Sequence, residues 1–141
     1  MAMQSTSVIL GDIYDAWRAQ DLDLLASYLP IDFSHSIYIP QDIHPLGGHS
    51  QGKKASVARL GLIAAQFDIL RFDTSGLMTD RSRAAVEIPI RYRHRETGVP
   101  LETKIVNFWI FEDGWPVQVT EYHDVGRIQA FSHAVAAVTP L

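Results

Sequence analysis

From Asp68 to Val125 apolar and polar residues alternate with a period of two, and the alternation breaks at TDRS, ETG and EDG. That period marks extended backbone, whose successive side chains face opposite sides of a sheet. Each break suits a hairpin connection. Strands are therefore predicted at about Asp68–Met78, Ala84–Arg95, Leu101–Glu112 and Val117–Val125. Such a meander needs apolar elements to lie against, and the first half supplies them. Leu10, Ile13, Tyr14 and Trp17 recur at spacings of three and four, one stripe of a helix that starts after the hydroxyls of Ser5, Thr6 and Ser7. Asp21 suits the N-cap of a second helix, DLDLLASYL, closed by Pro30. Phe33, His35, Ile37 and Ile39 share one face of a strand from Asp32 to Pro40. Gln41 to Gly52 holds Pro and Gly and is expected as a long loop. KKASVARLGLIAAQF reads as a third helix, which Gly61 weakens by about 1 kcal/mol relative to Ala. A short helix with a frayed tail to Leu141 is expected after Gly126. The order implies one α+β domain over residues 1–141, a curved, mostly antiparallel sheet wrapped round three helices.

A chain of 141 residues can bury one core with a modest pocket. Twelve Lys and Arg against sixteen Asp and Glu give a net charge of −4, which argues against a nucleic-acid partner. Without cysteine there is no disulfide, no Cys-based zinc site and no thiol nucleophile. The N-terminal residues MAMQSTSVIL lack a basic region and a long apolar run, and no stretch is long enough for a membrane span. A cytoplasmic location with no membrane partner is the expectation.

Parity locates the candidate chemistry. Asn107 interrupts the row Leu101, Ile105, Trp109, Phe111; Glu121 and His123 continue the row of Val117 and Val119; His35 shares its face with Phe33, Ile37 and Ile39. A buried polar group without a partner costs on the order of 1–3 kcal/mol, so such positions need partners or a cavity. If the sheet curves round one cavity, these groups form a polar site within it. Burial there would raise the Glu121 carboxyl and lower the His123 imidazole toward neutrality, the condition for acid–base work near pH 7. Taken singly, each is more simply a satisfied core group. His44, His49, His94 and His133 read as surface or loop residues, with His49 a candidate for the pocket rim. Arg91, Arg93 and Arg95 read as a solvated or interface row paired with Glu87 and Glu102. No metal site is expected: the spacing of His35, Glu121 and His123 is unspecific.

The opposite parity of the Leu101–Glu112 strand is apolar too, at Val106, Phe108 and Ile110. A strand with one face on water should not look like that. A homodimer interface is the expectation, and coverage by the C-terminal tail the alternative.

AWRAQDLDLLASYL, GGHSQGKKASVARL and VNFWIFEDGWPVQVTEYHD, in this order and spacing, resemble the SnoaL-like branch of the ketosteroid-isomerase and nuclear transport factor two superfamily. They match its first two helices, its glycine-led third helix and its closing hairpin, so the resemblance spans about Val8 to Phe131. It implies a cone-shaped α+β barrel with an apolar pocket open at one end, and commonly a dimer through the outer sheet face. Steroid isomerases of the superfamily use a tyrosine on the first helix, an aspartate base on the first strand and a protonated aspartate. The resemblance sets Ile13 at the tyrosine position, with Tyr14 one step off, Ile37 or Ile39 at the base, and Asn107 at the second aspartate. Steroid isomerisation by that mechanism is not implied. VTEYHD resembles SnoaL-like cyclases and limonene-epoxide-hydrolase-like enzymes, in which an aspartate at the Glu121 position is acid or base. The arginine and second aspartate of the epoxide hydrolases have no counterpart.

The expected function is cofactor-independent proton transfer on a small apolar or carbonyl-bearing molecule, by an isomerase, cyclase or dehydratase. Glu121 would be base or acid, His123 its partner, and Asn107 a donor to the enolate oxygen. His35 would hold substrate or water, with Tyr14, Trp17, Trp109 and Val119 shaping the wall. The competing reading is a non-catalytic protein that binds a hydrophobic ligand or serves as a dimeric scaffold.

Overall fold

The computed structural model describes residues 5–138. Its elements run α1 (Thr6–Arg18), α2 (Leu22–Ser27), β1 (Ser34–Tyr38), β2 (Gly48–Gln51), α3 (Lys53–Gln66), β3 (Phe67–Phe72), β4 (Gly76–Thr79), β5 (Arg83–His94), β6 (Pro100–Glu112), β7 (Trp115–His123) and α4 (Val125–Val138). One curved, unclosed sheet has the order β2-β1-β7-β6-β5-β3, with β4 also on β5. Only the β1–β7 pair is parallel among these pairings.

Local chemistry sets the ends. The Ser5 hydroxyl accepts from Val8 N at 3.3 Å and the Asp21 carboxylate from Leu24 N at 3.1 Å, so both helices start where their capping residues stand. Asp113 and Gly114, both at positive φ, form the two-residue turn that joins β6 to β7. The inward rows are continuous: Phe33 just before β1 and Ile37 on it, Val86, Ile88, Ile90 and Tyr92 on β5, and Ile105, Trp109 and Phe111 on β6 are buried with the apolar stripe of α1.

Four readings change. The Gln41–Gly52 loop contains β2, antiparallel to β1 with His35 opposite Ser50. Arg59 of α3 holds this segment, donating to Ser50 Oγ at 2.7 Å and to the carbonyls of Leu46 and Gly47 at 2.8 and 2.9 Å. The single strand expected from Asp68 to Met78 is two. The Asp73 carboxylate accepts from Ser75 N and turns the chain, so that β3 pairs with one half of the long β5 and β4 with the other. A register shift after Ile110 takes Val117 out of the inward row, which instead runs through Pro116, Val119, Glu121 and His123. The helix expected to be short after Gly126 is α4, fourteen residues long, and it buries Ile128 and Phe131. The end of the expected tail, residues 139–141, lies outside the described residues.

On the outer face Phe108 is 43% exposed, and Val106 and Ile110 are half-buried. Tyr122, opposite Val106, stacks edge-on with Tyr38 at 4.8 Å, and both are exposed. The buried side chains of α4, Ile128 and Phe131, line the interior cavity.

Candidate active site

The sheet and helices enclose a cavity of about 120 Å³. An apolar cavity of about 150 Å³ accommodates benzene, and this one, partly open to solvent, is of that order. All eight residues singled out above border it: Tyr14 and Trp17 from α1, His35 from β1, Asn107 and Trp109 from β6, and Val119, Glu121 and His123 from β7. Register explains the convergence. Asn107 lies opposite Glu121, Trp109 opposite Val119 and Ile105 opposite His123, while β1 sets Ile37 beside Glu121.

Glu121 and His123 are bonded to each other, Oε2 to Nε2, at 2.7 Å, with side chains 16% and 9% exposed. Burial alone would lift the Glu121 carboxyl. The hydrogen bond and charge of His123, helped by the charge of His35, reverse this and hold it below the ordinary carboxylate value. The expectation of a raised Glu121 is corrected on that ground. His35 is pushed down, chiefly by burial.

The Tyr14 hydroxyl accepts from Asn107 Nδ2 at 2.9 Å and from Trp109 Nε1 at 2.8 Å. Two donors occupy its lone pairs and leave its own proton to give. Burial pushes its ionisation far up, so that proton stays in place. Tyr14 is therefore more than wall, and the Asn107 amide gives one of its two hydrogens to it. Trp17 donates to the hydroxyl of Tyr92 at 3.1 Å. Among the described residues His35 Nδ1, Asn107 Oδ1 and His123 Nδ1 are buried without hydrogen-bond partners, so three residues of one cavity carry unused polar capacity.

Among the other histidines His94 departs from the expected surface or loop position, whereas His44 lies in a loop and His49 and His133 are exposed. His94 is buried and bonded to Thr97 Oγ1 at 2.8 Å, and His44 borders the cavity. His49 is exposed and bonded to Ser36 and Gln51, away from the cavity. Arg93 and Arg95 pair with Asp68, and Glu87 with Lys104. Sequence reasoning passed over Tyr92, whose inward parity with Ile88 and Ile90 was readable, and Phe131 of α4, which bears no such signal. Among the described residues no three His, Cys, Asp or Glu side chains are grouped to hold a metal ion, and no helix is long and apolar enough to cross a membrane.

The family model of the SnoaL-like domain matches residues 10–122. No curated protein matches the chain. Among solved structures, a provisionally named isomerase from Rhodopseudomonas palustris is 21% identical with a TM-score of 0.81, over 95% of this chain and 99% of that one. A provisionally named polyketide cyclase from Xanthomonas campestris is 17% identical, TM-score 0.73, over 89% and 95%. A protein with a ketosteroid isomerase-like fold from Catenulispora acidiphila, in complex with trimethylamine, is 12% identical, TM-score 0.75, over 97% and 100%.

The depressed Glu121 fixes a pH dependence. Its contribution to stability is fully present above the ordinary value of 4.5 and is lost as pH falls through its lower folded value. Between pH 5 and pH 3 the urea midpoint of the wild type should fall more steeply than that of Glu121→Gln. Parallel slopes would show that Glu121 is not held down by its partners.

Proposed function

The chain belongs to the SnoaL-like domain family, and from that premise we propose that it is a cofactor-independent enzyme moving protons on a small carbonyl-bearing molecule, as an isomerase, cyclase or dehydratase. One observation carries this reading: the 2.7 Å Glu121–His123 bond stands in the same cavity as a tyrosine hydroxyl with its proton to give. The pair takes a proton from carbon beside the carbonyl, and Tyr14 donates to the oxygen as it gains charge. Asn107 and Trp109 donate to Tyr14, which aims that proton and strengthens it as a donor. The pair then returns the proton elsewhere on the ligand. His35 holds the ligand or a water, while Trp17, Trp109 and Val119 confine the ring. Side chains perform every transfer, so no cofactor is required. Solved structures of this fold under isomerase and cyclase names, and one holding trimethylamine, support a small-molecule site.

Proton abstraction is measurable without knowing the natural substrate. In D2O the wild type should exchange the α-protons of acetophenone, followed by NMR. Glu121→Gln should lose roughly 10²–10⁴ in rate, the usual worth of a general acid or base, while still binding the ketone. Equal exchange in both proteins would remove Glu121 from the chemistry. Binding by the wild type without exchange would favour the non-catalytic ligand-binding reading.

We also propose a homodimer through Val106, Phe108 and Ile110 on the outer face, and a cytoplasmic location. Sedimentation at micromolar concentration should give a dimer that Phe108→Asp dissociates, since a charge at an apolar interface is desolvated without a partner. A monomeric wild type would contradict the assembly.

A further inference from the structure

His44 belongs to none of the chemistry above, yet it borders the cavity. Its segment between β1 and β2 is held from several sides. Pro40 O accepts from the amides of Ile43 and His44, at 2.9 and 3.1 Å, and His44 O accepts from Gly47 N at 3.1 Å. Arg59 grips the carbonyls of Leu46 and Gly47, and Ser132 of α4 donates to Ile43 O at 3.1 Å. The imidazole lies against the Phe131 ring, with centroids 6.4 Å apart and planes 32° apart. These contacts fix the ring's position where α4 meets the β1–β2 connection.

They also fix its proton. Leu46 N donates to His44 Nδ1 at 3.2 Å. That nitrogen is therefore the acceptor, and the neutral ring carries its hydrogen on Nε2. Among the described residues Nε2 has no hydrogen-bond partner. Burial, with smaller contributions from the charges of His94 and His123, disfavours the imidazolium. The ring is a neutral donor of defined tautomer on a cavity that is otherwise mostly apolar.

Tyr14 sits among Asn107, Trp109 and Phe72, whereas His44 sits against Phe131 and Leu46. A ligand that meets both must offer an acceptor to each. We propose that His44 is a specificity-determining residue: its Nε2–H selects ring ligands bearing a second acceptor oxygen, apart from the carbonyl that Tyr14 receives. This rests on the small-molecule reading of the cavity and adds to it the substrate class, a single-ring carbonyl compound with a remote ether, hydroxyl or carbonyl oxygen. His44 is half-buried, and a ligand that covers its Nε2–H with carbon alone removes that donor from water without giving it a partner, which is penalised.

The test compares ligands of nearly equal shape. The 3- and 4-methoxyacetophenones and the matching ethylacetophenones are titrated by ligand-observed NMR into wild type, His44→Leu and His44→Gln. The wild type should prefer one methoxy isomer over its ethyl analogue by about tenfold, the size expected of one neutral hydrogen bond. His44→Leu should lose that preference while binding the ethyl compound at least as well, which also reports an intact cavity. His44→Gln, whose amide can donate from a similar position, should keep part of it. A preference absent from the wild type, or undiminished in His44→Leu, would overturn the proposal. Either result would leave the proton-transfer reading standing, because that reading is decided separately by exchange on plain acetophenone in the wild type.

Discussion

A carboxylate on the inner face of a sheet must find a partner of opposite polarity, and the Glu121–His123 bond is how this fold meets that demand. The two residues are i and i+2 on β7, so the pleat alone sets them on one face. A buried carboxylate without a partner would take up a proton or force the strand to expose it. With His123 at 2.7 Å, Glu121 keeps its charge in a surround of Ile37, Ile105 and Val119. The remaining polar groups are arranged round this pair, and the apolar remainder of the cavity keeps their interactions strong.

The second tie joins helix to sheet. Tyr14 of α1 receives hydrogens from Asn107 and Trp109 of β6, and Trp17, one turn on, gives its own to Tyr92 of β5. These bonds satisfy polar atoms that burial would otherwise penalise. They also lock the rotation of α1 about its axis, because a turn of the helix would break both at once. The same contacts that hold the helix on the sheet therefore aim the Tyr14 hydroxyl, so stability and site geometry rest on shared atoms.

Much of this was legible in the sequence because parity is a local property. The rows through His35, Asn107 and Glu121 follow from alternation, and a shared cavity follows if the sheet curves. What escaped was set by distant contacts. Asn107 meets Tyr14 across 93 positions, so its amide could not be known to be engaged. The β2 segment GHSQ has no alternation of its own and is held in the sheet by Arg59. Val117 reads as inward until the shift after Ile110 displaces it. Helix α4 is apolar on several sides, so periodicity alone did not reveal its length or the inward side chain of Phe131. The direction of the Glu121 shift was misjudged because burial is visible in a sequence and a hydrogen bond to a particular nitrogen is not.

The central claim is that Glu121 holds the proton of His123 at Nε2 inside a protected cavity. Long-range proton–nitrogen correlation on 15N-histidine-labelled protein at pH 7 reads that arrangement directly. The account predicts a His123 ring proton on Nε2, far downfield and slow to exchange with water, that moves upfield or vanishes in Glu121→Gln. A His123 ring proton found on Nδ1 alone, or one on Nε2 with the same shift in both proteins, would contradict it.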